Sequence, residues 1–265
     1  MDTSAYPFLI VEITDSIATI TLNRAKVHNA FNGEMIDSLT RVFQDISKEP
    51  QLRAIILQGA GPSFSAGGDL NWMRASLEWT YEQNLADTTA LAAMFAAIND
   101  CPVPVVGKIH GAAMGGGTGL VAVCDIAIAT DLTRFAFSEA KLGLVPATIA
   151  PFVIAKIGQT HARALFMTAE RFNAARALQI GLVHQVVPVD QLDDAVTTAI
   201  NQLRTSGPIA SRTAKQLVKM LTTVTSSTLT QQTIELIAHL RVSPEGQEGL
   251  RAFLEKRRAS WAEEI

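Results

Sequence analysis

The sequence predicts an α/β fold with a helical region behind it, on three observations. Short apolar runs of strand type alternate with helical patterns through about the first 130 residues, glycine-bearing turns follow two of those runs, and helical patterns succeed one another from about residue 149 onward. The elements follow in order. FLIVEITDSIATITLNR at 8–24 alternates apolar and polar residues on either side of Asp15 and Ser16, which predicts a β-hairpin. Asn32 and Gly33 then open a helix whose apolar positions Met35, Ile36, Leu39, Val42, Phe43 and Ile46 recur three and four apart, with Pro50 just beyond its end. RAIILQG at 53–59 predicts a buried strand, 75–98 a long helix, and 103–109 and 125–129 two more buried strands. Helices are expected at 149–157, 160–168, 174–180, 190–205, 208–222, 226–240 and 245–258, so the second half is expected to be a helical layer. Gly207 and Pro208 punctuate it and divide a core over 1–205 from a helical region over 206–265 suited to self-association or to covering a site.

Composition narrows the function. A chain of 265 residues, 48% of them hydrophobic and 18% charged, buries a sizeable core and is neither disordered nor fibrous. The formal net charge of −3 and scattered cations, apart from Lys256, Arg257 and Arg258, argue against nucleic acid as the main partner. Cys101 and Cys124 lack metal or redox spacing and read as reduced, buried thiols, and the five histidines have no metal-ligand spacing. The opening MDTSAYPFLI has no targeting pattern, and LVAVCDIAIA at 120–129 is interrupted by Asp125 and too short to span a bilayer. The expectation is a cytoplasmic protein with no membrane partner and no bound cofactor or metal.

The densest glycine run, GAAMGGGTGLVAVC at 111–124, matches a dinucleotide-binding pattern through Gly117, Gly119 and Ala122. That reading fails on spacing. The next strand begins eight residues after Gly117, which leaves no room for the crossover helix of ten or more residues that a parallel return requires. A P-loop is excluded because no G-K-[ST] follows. The run suits a short helix that offers free N–H groups to a negative oxygen at close approach, or else a tight turn packed on a strand. FSAGGDL at 64–70 is a second glycine-bearing turn after a buried strand, so each turn can offer one N–H to the same oxygen, the anatomy of an oxyanion hole.

Together FSAGGDL, GAAMGGGTGLVAVCDIAIA, FAFSEAKLGLVP, TAERFNAARALQIGLVHQVV and GLRAFLEKRRASW resemble the crotonase superfamily, the enoyl-CoA hydratase/isomerase family, from about residue 8 to the C-terminus. The resemblance implies a spiral of β-β-α turns, a C-terminal helical region in oligomer contacts, and trimers often paired into hexamers. It implies an acyl-coenzyme A thioester as substrate, with Gly68 and Gly116 supplying the two N–H donors, and Asp69 capping or orienting the first turn. Glu139 aligns with one of the two glutamates that hold water in hydratases of this family, and Gly119 stands where the other is expected. Glu139 on its own is also a plausible surface ion-pair partner of Lys141. With a single glutamate, hydration remains open if backbone or hydroxyl groups such as that of Thr118 position water, the absent side chain making room for a larger or branched acyl group. Double-bond isomerisation needs only one base, and hydrolysis or decarboxylation is known in other branches.

PATIAPFVI at 146–154 and the GGTGLV glycine run resemble the bacterial branch that hydrates branched, glutaconyl-type CoA esters; the APF element also resembles Δ3,Δ2-enoyl-CoA isomerases. Hydration is the favoured expectation, isomerisation the second, and a non-catalytic CoA-ester or RNA-binding role the third. The same resemblance puts Ala25, Lys26 and Val27 beside the pantetheine and nucleotide, although Lys26 also reads as a solvated loop charge. Ala66 and Leu70 flank the hole, and Phe253 and Lys256 match residues that reach the CoA of a neighbouring subunit.

Overall fold

The computed structural model describes residues 5–223 and 229–262. The predicted hairpin is present: β1 (Leu9–Thr14) and β2 (Ile17–Leu22) pair antiparallel, with Thr14 opposite Ile17. Asp15 and Ser16 at its tip both take positive φ, 48° and 63°, the backbone twist a two-residue hairpin turn demands. Four further strands, β3 (Ala54–Gly59), β4 (Val105–Ile109), β6 (Ile126–Thr130) and β9 (Gln185–Val187), add in parallel to give a six-stranded sheet ordered β1-β2-β3-β4-β6-β9. A second, three-stranded sheet joins β5 (Ala112–Met114) to β7 (Arg134–Ala136) in parallel and β7 to β8 (Arg171–Asn173) antiparallel.

Helix α1 (Gly33–Ile46) starts where Asn32 accepts a hydrogen bond from the Met35 N–H, and its predicted apolar stripe is buried. The helix expected over 75–98 is α3 (Tyr81–Asp100), which starts later than expected, after a short α2 (Leu70–Ala75) and a 3-10 turn. The restart is set by Thr80 and Gln83, which satisfy each other's backbone N–H groups in a capping box. Helix α4 (Gly116–Val123) grows from the glycine run, and α5 (Ala150–Thr168) covers the helices expected at 149–157 and 160–168, broken at Gly158 where φ is 72°. Then follow α6 (Ala174–Gln179), α7 (Leu192–Thr205), α8 (Pro208–Thr223), α9 (Leu229–Val242) and α10 (Pro244–Leu254). Residues 226–228 of the pattern expected at 226–240 lie outside the described residues. The second half is not helical throughout: β8 and β9 lie within it. Strands of three residues are too short to show a period of two in the sequence.

The path between the sheets positions the site. After β3, Ser65 bridges in parallel to Ala113; after β4 the chain forms β5; after β6 it forms β7. Each winding therefore leaves a strand in the large sheet, lays a short segment against the next winding, and departs through a helix. Phe31, after β2, makes the corresponding bridge to Gly68. The main core lies inside these windings, around the buried rings of Phe31, Phe43, Phe64, Phe95, Phe135 and Phe137. A smaller core packs α7, through Leu192, Val196 and Ile200, on Ala54, Val106 and Ile128 of the large sheet's other face.

Helix α8 is tied to this body by polar groups. Arg212 donates to the carbonyls of Glu49 and Leu52 and Lys215 pairs with Asp125 at 2.7 Å, while Arg53 holds the end of α7 and the C-terminal tail through the carbonyls of Leu203, Arg204 and Trp261. Among the described residues no helix is long and apolar enough to cross a membrane, and no group of three or more His, Cys, Asp or Glu side chains is placed to hold a metal ion.

Candidate active site

Three windings converge on one point. Ser65 N–H donates to the Ala112 carbonyl and Met114 N–H to that of Ser65, which lays FSAGGDL along β5. Gly115 N–H donates to the Ala136 carbonyl at 2.8 Å and ties the glycine run to the end of β7, from which the chain runs on through Ser138 to Glu139. Gly67 and Gly115 both need positive φ, 84° and 50°. A Cβ on Gly67 would stand 2.6 Å from the Met114 carbonyl oxygen and 3.3 Å from the Gly116 nitrogen, so the two glycine turns are in backbone contact. A Cβ on Gly115 would stand 3.2 Å from Oε1 of Glu139.

Gly68, Gly116 and Glu139 are thereby brought together. Among the described residues, the N–H groups of Gly68, Gly116 and Gly117 have no acceptor, while those of Gly67, Asp69 and Gly115 are engaged. Gly116 opens α4, so its N–H lies at the positive end of that helix. The opposite end is neutralised by Lys156, whose ammonium donates to the carbonyls of Ala122 and Cys124. Burial lowers the pKa of Lys156.

Glu139 begins a 3-10 turn, Glu139–Leu142, and makes no ion pair with Lys141 among the described residues. Its Oε2 is buried without a hydrogen-bond partner, and burial raises the pKa of the carboxyl above the ordinary glutamate range. A half-buried carboxylate with one unpartnered oxygen beside free N–H donors can move a proton at a carbon whose attached carbonyl is polarised.

Asp69 is committed to holding the first turn. It is 4% exposed, caps α2 by accepting from the N–H groups of Asn71 and Trp72, and pairs with Arg24 at 3.0 Å. Burial pushes its carboxyl up, but these two N–H groups and the Arg24 guanidinium outweigh that and hold it below the usual range. Arg24 also donates to the Ala30 carbonyl, so it links the donor turn to the Ala25–Val27 turn. Sequence reasoning passed over Arg24 although it heads RAKVHNAF, because its partner lies 45 positions away. Asp69→Ala is expected to lower stability by about 3–5 kcal/mol, since it uncaps α2 and leaves a mostly buried guanidinium unpaired. Denaturant melts read the loss, and kcat is expected to fall with it as Gly68 loses its support.

Two expectations about the second glutamate position need correction. Gly119 is buried, and a Cβ there would meet Ile149 Cγ2 at 2.3 Å and Phe95 Cε1 at 3.0 Å. The space left by the absent side chain is therefore filled by Ile149 and Phe95 and does not enlarge an acyl site. The Thr118 hydroxyl is fully buried between the Ala113 and Ala136 carbonyls at 2.7 and 2.9 Å, so it braces the glycine run and has no proton to offer a water.

Of the expected CoA contacts, the Ala25–Val27 turn and Ala66 lie together, because Ala66 N–H donates to the His28 carbonyl; Lys26, Val27 and Ala66 are exposed, as is Leu70. Phe253 is 81% exposed and Lys256 is exposed at the end of α10, where the neighbouring hydrogen bonds run to Glu248, Glu255 and Thr205 rather than to this site.

Backbone N–H groups from two windings and the Glu139 carboxylate from the next meet on stacked strand-and-helix turns. Residues 12–264 match the family model described as enoyl-CoA hydratase/isomerase, and the chain belongs to that family. It is 33% identical over 259 residues to the "Probable enoyl-CoA hydratase echA8" of Mycobacterium tuberculosis, covering 95% of this chain and 96% of that one. It is 29% identical to the trans-2-decenoyl-[acyl-carrier-protein] isomerase of Streptococcus mutans, over 94% of this chain and 96% of that one. Its fold matches the crystal structure of an enoyl-CoA hydratase from Shewanella pealeana with a TM-score of 0.93 at 39% identity, covering 98% and 97% of the two chains.

Proposed function

We propose that this chain hydrates the C2–C3 double bond of a 2-enoyl-CoA thioester, of branched or glutaconyl type, with Glu139 as its one acid–base group. The observation that carries the reading is the buried Oε2 of Glu139, without a partner, beside the unengaged N–H groups of Gly68 and Gly116. The thioester oxygen accepts from both N–H groups. Glu139 takes a proton from water as its oxygen bonds to C3, the enolate charge gathers on the thioester oxygen, and Glu139 returns the proton to C2. The substrate branch rests on the resemblance at 146–154 alone.

Isomerisation is the second reading. It is favoured by the packing of Ile149 on Gly119, which leaves one carboxylate where a water-holding pair is expected, and by the isomerase name of the Streptococcus mutans relative. Incubation in heavy-oxygen water with crotonyl-CoA, 3-methylglutaconyl-CoA and a 3-enoyl-CoA separates the two by product mass. Hydration predicts labelled oxygen in a 3-hydroxyacyl ester; double-bond migration without label would make the chain an isomerase, and no turnover of any ester would sink both.

In the same reading Ala25, Lys26, Val27, Ala66 and Leu70 line the approach of the CoA, and Phe253 and Lys256 serve the site of a neighbouring copy. Self-association as a trimer or a dimer of trimers is supported by the apolar side chains that the helices after residue 206 leave exposed, among them Val218, Ile237, Val242, Phe253 and Leu254. The two free, buried cysteines fit a cytoplasmic location.

A further inference from the structure

We propose that the outer face of the small sheet is a binding site for a phosphate-bearing anion, held by Arg134, Arg171 and Arg176. Strand register assembles it. β7 and β8 pair Arg134 with Asn173, Phe135 with Phe172 and Ala136 with Arg171. Side chains alternate along a strand, so the two phenylalanines turn inward, with rings stacked 5.6 Å apart, and Arg134, Arg171 and Asn173 share the opposite face. Arg176, one turn into α6, completes a cavity of about 450 Å³ lined by these three arginines, Phe172 and Asn173.

Among the described residues no carboxylate pairs with any of the three guanidinium groups. Exposed cations such as Arg41, Lys48 and Arg257, by contrast, find acidic partners. Like charges gathered in one cavity repel, and a bound anion removes that cost.

Two of the arginines are already held. Arg176 donates to Gln179 Oε1 at 2.7 Å and contacts His161 Nδ1 at 3.5 Å, and Arg134 Nη1 donates to the carbonyls of Leu132 and Thr133. Among the described residues the Arg171 side chain makes no hydrogen bond, which leaves its whole fork free. Asn173 Oδ1 is taken by the Arg176 N–H, which leaves the Nδ2 amide as its free group. The free polar groups of these four side chains are therefore all donors, so the site selects a ligand made of acceptors, and the guanidinium fork matches phosphate oxygens two at a time. The cavity is large enough for linked phosphates, whether of a free polyphosphate or nucleotide or of the nucleotide end of coenzyme A.

Calorimetric titration of the full chain with inorganic pyrophosphate at low ionic strength tests this. Saturable binding is expected that weakens as salt is added, and that falls about tenfold in Arg171→Met and less in Arg171→Lys, with circular dichroism unchanged. Competition names the source. Displacement of pyrophosphate by coenzyme A, with a raised KM for acyl-CoA in Arg171→Met, assigns the site to the CoA phosphates; undiminished pyrophosphate binding with coenzyme A saturating assigns it to a separate anion. Absence of saturable binding, or equal binding by wild type and Arg134→Met/Arg171→Met, overturns the proposal. So does a variant that changes only the oligomeric mass, since the arginines would then be facing carboxylates of a neighbouring copy.

Discussion

Glu139→Gln is expected to lower kcat by about 10²–10⁴-fold while raising the thermal midpoint. The catalytic loss follows from replacing the group proposed to take and return the proton near Gly68 and Gly116. The gain in stability follows from the same carboxylate oxygen being buried without a partner. Because burial raises the pKa of this group in the folded chain, the native state holds the Glu139 proton more tightly than the unfolded chain does. Below the unfolded-state pKa the wild type carries no penalty there. As pH rises through the raised folded pKa the penalty develops in full, so the advantage of the glutamine variant should appear with rising pH and then level off. The wild-type kcat/KM should fall on the acid side with a midpoint above the ordinary glutamate range, since the ionised form starts the reaction. Melting curves and initial rates across pH check both halves, and a variant with rates within tenfold of wild type would remove Glu139 from the chemistry.

Gly119→Glu should not create a two-carboxylate hydratase. The first atom of the new side chain already meets Ile149 at 2.3 Å, and the carboxylate would follow it into a wall that also contains Phe95. Overpacking together with an unpaired buried charge predicts a loss of about 3–5 kcal/mol and a fall in activity. Gly119→Ala isolates the steric part and should lose about 1–3 kcal/mol. Pairing Gly119→Glu with Ile149→Ala relieves the closest contact and should recover part of the fold in denaturant melts. A Gly119→Glu enzyme as stable as wild type and faster at hydration would mean that Ile149 yields easily and that the packing sets no limit on the chemistry.

The sequence made visible those parts whose physics is local. The tip of the hairpin, the Asn32 cap with its apolar stripe, and the break between the two halves of α5 each depend on residues a few positions apart. The two glycine turns were visible because their backbone conformations and close approaches are nearly exclusive to glycine. β5, β7, β8 and β9 were not, because strands of three residues are specified by their neighbours in space and carry no period of their own. The support of the donor turn by Arg24, the filling of the Gly119 position by Ile149 and the burial of the Thr118 hydroxyl all join residues far apart in the chain or hidden by packing. No spacing rule reaches them.

The stacking of windings separates two kinds of specification. In the proposed reaction Gly68 and Gly116 contribute main-chain atoms, which every residue possesses, so the donor pair would be encoded in the shape of the path and lost only when one winding shifts against the next. Glu139 contributes a side chain from the following winding, where replacement leaves that path intact. On that proposal, a lineage built on this scaffold would keep its means of polarising a carbonyl while exchanging the groups that choose where the proton goes.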